Sequence, residues 1–238
     1  MVGRRAGARI ATVSGLAMLV VTAPAAAAVE PCTSCADCQA KLASGLHATV
    51  QLTTDIVDQS GTCIDLTSGE SDVEFDCAGH LIDSDELGVD PVQGIAMMHG
   101  SRVTVRSCRI SDFDSGIYVV DATALNLADN HLISNRIGLD LSNAHENEIA
   151  GNRVEGSSTG IKLSNSDDNT IHRNWSCGNF PWDIYLGYDS TGNLGTENTC
   201  EFTRYWNDLS IDGCTYACPF FSDGFESADC SAWSESVP

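Results

Sequence analysis

Apolar residues recur along this chain with a step of 22 residues. Gly94-Ile95, Gly116-Ile117, Gly138-Leu139 and Gly160-Ile161 open successive copies, and Met97, Val119, Leu141 and Leu163 keep the same step. Val105, Leu127, Ile149 and Ile171 form another column, and Ile110, Leu132 and Val154 a third that ends at Ser176. Between them runs a polar column, Cys108, Asn130, Asn152 and Asn174. Within a copy the apolar residues alternate with polar ones in short runs, as in Gly138-Leu139-Asp140-Leu141, Glu148-Ile149 and Arg153-Val154, with Gly, Ser and Asn between. Period two in such runs predicts strands, and no run holds helical spacing for long. Repetition of this length marks an array whose units bury their apolar sides against their neighbours. Three short strands per unit fit one coil of a parallel β-helix, with stacked strands about 4.8 Å apart. A leucine-rich repeat has similar length, but its Leu-x-x-Leu-x-Leu pattern and helical half are missing. The Asn column is expected to point inward and bond from coil to coil, which satisfies polar atoms that would otherwise be buried alone.

The first 28 residues read as an export signal. Arg4, Arg5 and Arg9 supply a positive start, Ile10 to Val21 an apolar segment, and Ala26-Ala27-Ala28 a small-residue cleavage site. That apolar run is too short for a membrane span, and no later stretch is long enough. Cleavage there leaves nine basic residues against 33 acidic ones, a net of −24, and such a surface repels nucleic acid and anionic lipid. All 11 cysteines follow the signal, so disulfides are expected, with at most five bridges and one thiol left over.

Residues 29–48 hold Cys32-Thr-Ser-Cys35-Ala-Asp-Cys38 and are expected to form a disulfide-stapled cap, since no second ligand pair with metal spacing follows. Residues 49–199 form the helix proper, and residues 200–238, with Cys200, Cys214 and Cys218, a second cap and a tail. Ile64 and Ile95 lie 31 residues apart, so that coil carries an insertion. Its loop, from Asp83 to Gln93, contains Asp83, Asp85, Glu86 and Asp90. Their oxygens could bind Ca²⁺, but the loop lacks an EF-hand pattern, and solvated acids with no cofactor are the expectation. A later coil starts one residue late, at Ile184 and Leu186.

Val73-Glu-Phe-Asp-Cys-Ala-Gly-His-Leu-Ile82 resembles the segment, with Gly-His before a final Ile, that opens right-handed parallel β-helix proteins of the pectin-lyase-like superfamily. The later Asn-x-Ile and Gly-Ile-x-Leu units are similar to the generic β-helix repeats of that superfamily, as found in NosD-like proteins. The resemblance spans roughly residues 50–190. It implies an all-β, single-stranded, right-handed parallel β-helix (a solenoid) with disulfide-stapled caps, and speaks to fold more than to activity. The ending, Phe221-Ser-Asp-Gly-Phe-Glu-Ser227 and Ser231-Ala-Trp-Ser234, resembles a short tail on various secreted bacterial proteins.

Alternation lets the outward positions be read directly. The first strand of each coil presents Ala96, Tyr118, Asp140, Lys162 and Tyr185, two tyrosines flanking a charged pair along a straight face. A second outward row is Arg109, His131, Arg153 and Trp175, with Arg106, His172 and Arg173 close in sequence. Positive charge beside Trp suits docking of an anionic glycan, although these Arg side chains could equally bond the protein's own carboxylates. The superfamily's enzyme motifs are largely missing. No paired carboxylate motif like that of polygalacturonases is present, and Gly88-Val-Asp-Pro91 resembles the Asp-Pro-His segment of alginate epimerases only in part, with Val92 where His would stand. Asp140, with Asp121 or Asp167, is the candidate for two-carboxylate glycosidase chemistry. Asn174-Trp-Ser176 fits a glycosylation sequon but belongs to the inward column.

The expectation is therefore a secreted or cell-surface protein, extracellular or periplasmic, that recognises polysaccharide or a cell-surface glycan along a strand face. The alternatives are a pectin-lyase-like enzyme (lyase, hydrolase or epimerase) acting on an acidic glycan, and a non-catalytic structural or surface-interaction protein.

Overall fold

In a computed structural model, which describes residues 29–67, 69–85, 91–209 and 211–219, the chain winds into a solenoid of three parallel sheets. The first sheet has seven strands: Ile64–Leu66, Gln93–Met98, Ser115–Val120, Ile137–Ser142, Thr159–Ser164, Trp182–Leu186 and Thr203–Arg204. The second has eight strands, from Val29–Cys32 through Asn126–Ala128 and Glu148–Ala150 to Leu194–Thr196. The third has six, from Ile56–Gln59 through His131–Ile133 and Arg153–Glu155 to Trp175–Ser176. The sequence step is the register: Ile117 faces Leu139, Leu127 faces Ile149, and Leu132 faces Val154 on the adjoining coil. The inserted coil stays in register as well, Ile64 against Ile95, and so does the late one, Ile161 against Ile184.

The apolar columns line the interior, where Ile117, Leu127, Leu139, Ile149, Val154 and Ile161 are fully buried. The glycine that opens each copy sits where the backbone comes closest to that core. A Cβ at Gly138 would lie 2.2 Å from Val154 Cγ1 and 2.7 Å from the Gly160 carbonyl oxygen, so no side chain fits. The corners after the three middle first-sheet strands turn through left-handed backbone at Asp121, Asn143 and Asn165, with φ of 51°, 51° and 46°. Asn and Asp adopt that conformation more readily than other side chains.

The Asn column closes the coils onto one another. Asn152 Oδ1 accepts from Asn130 N and Nδ2, both at 3.0 Å, and Asn174 Oδ1 accepts from Asn152 N and Nδ2 at 2.9 and 3.0 Å. The Nδ2 of Asn152 also donates to the Leu127 carbonyl at 2.8 Å. The column runs on to Asn198 and ends at buried Asp208. That carboxylate accepts from Asn198 N and Nδ2, Trp206 Nε1, and Thr215 N and Oγ1 at 2.7–3.2 Å. A carboxylate suits the last position because every neighbour there is a donor. Two further columns stand at the other corners. Asn147, Asn169 and Asn193 repeat the pattern, and Asn135, Ser157 and Asn179 lead to Asp183, whose buried carboxylate accepts from Asn179 and from the Glu201 and Phe202 amides.

Both ends are covered. At the N-terminal end a helix, Cys35–Ala43, buries Cys35, Cys38 and Leu42, with Ser34 as its N-cap accepting from Asp37 N at 3.3 Å. The strand pattern does not anticipate this helix. Disulfides Cys32–Cys38 and Cys35–Cys63 fix it to the first coil. At the other end Cys200–Cys214 and Cys177–Cys218 hold the closing segment over buried Trp206, and Cys77–Cys108 ties two coils between the caps. These five bridges use ten cysteines and leave Cys230. Cys230, the export signal, the tail motif, and Glu86 and Asp90 of the acidic loop lie outside the described residues.

Asn152→Ala strips the acceptor from the Asn130 amide and the donor from the Leu127 carbonyl inside the core. We expect it to lower unfolding free energy by roughly 2–4 kcal/mol in denaturant titration. Loss of less than about 1 kcal/mol, the cost of an ordinary surface contact, contradicts this role.

Candidate functional site

On the outer face of the first sheet, Asp65, Ala96, Tyr118, Asp140, Lys162, Tyr185 and Arg204 stand in register, one per coil. Lys162 Nζ lies 3.1 and 3.3 Å from the two Asp140 oxygens. Asp140 is only 6% exposed, covered in part by the half-buried Lys162. Arg136 clamps Asp114 with both arms of its guanidinium, one at 2.8 Å, and lies in the field of Asp140. The Tyr118 phenol is pushed above its ordinary range, first by burial and then by the negative charge of Asp140 and Asp121. At the far end the Arg204 guanidinium lies 5.1 Å from the Tyr185 ring centre and 5.2 Å from that of Tyr205.

Asp121 and Asp167 have partners of their own. Asn143 Nδ2 donates to Asp121, with His99 at 3.7 Å, while Asp167 accepts from Thr191 N and Oγ1 and lies 3.6 Å from His145. The row continues to Arg204, which spacing alone does not reach, because Thr203 pairs with Ile184 after a coil of 19 residues instead of 22.

On the third sheet Arg109, His131, Arg153 and Trp175 also stand in register. Arg153 grips Glu155 at 3.0 and 2.9 Å and stacks over Trp175 at 4.0 Å, while His131 Nε2 lies 2.6 Å from the same carboxylate. A cleft of about 470 Å³ opens beside them, lined by Glu155, Trp175, Glu201, Pro219 and the Cys177–Cys218 bridge. The wider basic cluster that sequence adjacency suggests is divided between faces. Arg106 and His172 belong to the second sheet, against Glu74, Asp76 and Glu148, and Arg173 sits at a corner with Glu197 at 2.8 Å. The reason is the short corner between the second and third sheets, which turns residues three apart onto different faces.

Among the described residues no group of three or more His, Cys, Asp or Glu could hold a metal ion. Of the acidic loop, Asp83 accepts from Ser111 Oγ at 2.5 Å and stands near Asp112, whose carboxyl is raised first by burial and then by Asp83.

Residues 47–202 match the family described as periplasmic copper-binding protein (NosD). No curated protein and no solved structure matches the chain. Copper sites draw on imidazole, thiolate and thioether ligands. Here ten cysteines are oxidised in pairs, Met97 is buried in the core, half-buried Met98 stands next to His99, and each histidine (His47, His80, His99, His131, His145 and His172) faces a carboxylate on its own stretch of surface. The described histidines and cysteines do not converge into a copper donor set.

The Arg153 guanidinium, and after it His131, hold the Glu155 carboxyl below its ordinary value against the opposing effect of burial. The folded-state value is the lower one. The pair's contribution to stability is therefore complete above the unfolded-chain glutamate value of about 4.3 and disappears as pH falls through the folded value. A carboxyl titration by NMR should place Glu155 below that value in the native protein and higher in Arg153→Met; the same midpoint in both proteins contradicts the assignment.

Proposed function

The chain belongs to the NosD family, and on that premise we propose that it is a polysaccharide-recognising β-helix whose binding face is the outer surface of the first sheet. Its setting is plain: five disulfides and a periplasmic family put it in an oxidising compartment outside the cytoplasm. Among the described residues no helix is long and apolar enough to cross a membrane.

The observation that carries the reading is the Asp140–Lys162 pair held in register between Tyr118 and Tyr185. Sugars offer an apolar ring face to aromatic side chains and hydroxyl groups to charged acceptors and donors. Stacked strands bring these groups to a straight line of four positions over roughly 14 Å. With Lys162 fixing both of its oxygens, Asp140 serves as an oriented acceptor for hydroxyl groups in this reading, and Lys162 as the matching donor. The third-sheet row of Arg109, His131, Arg153 and Trp175 is less favoured, because it carries a single aromatic ring, Trp175, which Arg153 already covers. Copper binding is not part of the proposal.

The mature protein is expected to bind at least one polysaccharide on a glycan array, and Asp140→Asn and Tyr185→Ala are each expected to weaken that binding at least tenfold while the melting temperature changes little. The reading fails if the wild type binds none, or if both variants bind as it does.

A further inference from the structure

Most of the described basic residues are matched. Lys41, Arg102, Arg106, Arg136, Arg153, Lys162 and Arg173 each lie within ion-pair distance of a carboxylate. Exposed Arg109 has no ion pair or hydrogen bond among the described residues, but it lies in the field of Asp55 and no ring holds it. Arg204 differs. Among the described residues its guanidinium has neither an ion pair nor a hydrogen bond, and two tyrosine rings hold it instead. Tyr185 is its partner on the adjoining strand, and Tyr205 follows it at a corner with φ of 55°.

We infer that Arg204, between Tyr185 and Tyr205, is an oxyanion subsite at the end of the first-sheet face and selects glycans that carry an anionic group on the sugar. This deepens the polysaccharide reading and rests on it. A guanidinium stacked on aromatic rings keeps its in-plane N–H donors free, and their fork matches two oxygens of a carboxylate, sulfate or phosphate. In a chain of net charge −21 an anion is repelled at long range, so only a local cation with no carboxylate of its own can hold one.

The surroundings supply the rest of a sugar's surface. Phe202 and Tyr205 are exposed beside Arg204, and Phe180, Tyr188 and Tyr216 are exposed on the same terminal coils. The described residues from Val57 to Phe180 present no other exposed large apolar side chain between those two. Exposed aromatic side chains thus gather on the terminal coils, with Phe202 and Tyr205 beside Arg204 and Tyr216 over Thr199 on the side of Trp175.

The test uses the mature, disulfide-bonded protein in calorimetric titrations. The probes are oligomers of galacturonate, mannuronate and glucuronate with their methyl esters, a sulfated and a desulfated chondroitin oligomer, and a phosphodiester-linked teichoic acid beside a neutral dextran oligomer. At least one anionic probe should bind tenfold or more tightly than its neutral counterpart, with affinity falling as salt is raised. Arg204→Ala should abolish the difference between the anionic probe and its neutral counterpart. A preference lost in Arg204→Ala but kept in Arg204→Lys still supports the subsite, as a charge rather than a fork. Which anionic probe responds separates carboxylate, sulfate and phosphate sources. Equal binding of anionic and neutral probes, or a preference undiminished in both variants, overturns the subsite and leaves the polysaccharide reading standing. No binding by any probe, neutral or anionic, overturns the subsite together with the reading beneath it.

Discussion

Asparagine is at once donor and acceptor, and the solenoid depends on that. Each coil must turn corners inside its own wall, where backbone amides point away from the strand ladders. An Asn side chain from the next coil accepts such an amide and passes its own donors on, to the neighbouring asparagine and to a main-chain carbonyl. A buried amide without a partner costs about 1–3 kcal/mol, and repeated corners would multiply that cost along the tube. Such a chain of donors needs an acceptor at its end, and the two aspartates Asp208 and Asp183 provide it at two of the corners.

With register fixed from inside, the outer faces carry straight rows in which chemistry can be placed one residue per coil. Most of that surface is spent on self-pairing: the arginines meet acids of adjoining coils, and the histidines do the same. Pairs of this kind at a surface contribute little to stability. The first-sheet face keeps a carboxylate–ammonium pair between two tyrosines and, beyond it, an arginine held by rings. That combination, in a family described as periplasmic, is where a functional reading has its strongest footing.

The middle coils were legible in the sequence because the 22-residue step and the structural register are the same thing there: the Tyr118, Asp140, Lys162 row and the Asn130, Asn152, Asn174 column follow directly. Two other polar columns do not repeat cleanly enough along the chain to show in the 22-residue step. One passes through Ser157 between Asn135 and Asn179, and the other begins only at Asn147, with Leu125 in the coil before it. The capping helix was hidden because its nine residues are dominated by cysteine spacing, although Ser34 followed by Asp37 is a helix-start signal. Arg204 lies past the point where a shortened coil breaks the period. Sequence adjacency placed Arg106 beside Arg109, but the corner between them turns the two side chains onto separate sheets.

Asparagine side chains complete the hydrogen bonding of the corners by taking the one amide that the main-chain carbonyls of adjoining coils leave over. Native-state hydrogen exchange measured by NMR tests it at the backbone amides of Asn130, Asn152 and Asn174, which donate to the next asparagine side chain. They should exchange as slowly as the amides of the central strands, through global opening alone. Exchange at the pace of exposed turns, while those strands stay protected, would contradict the account.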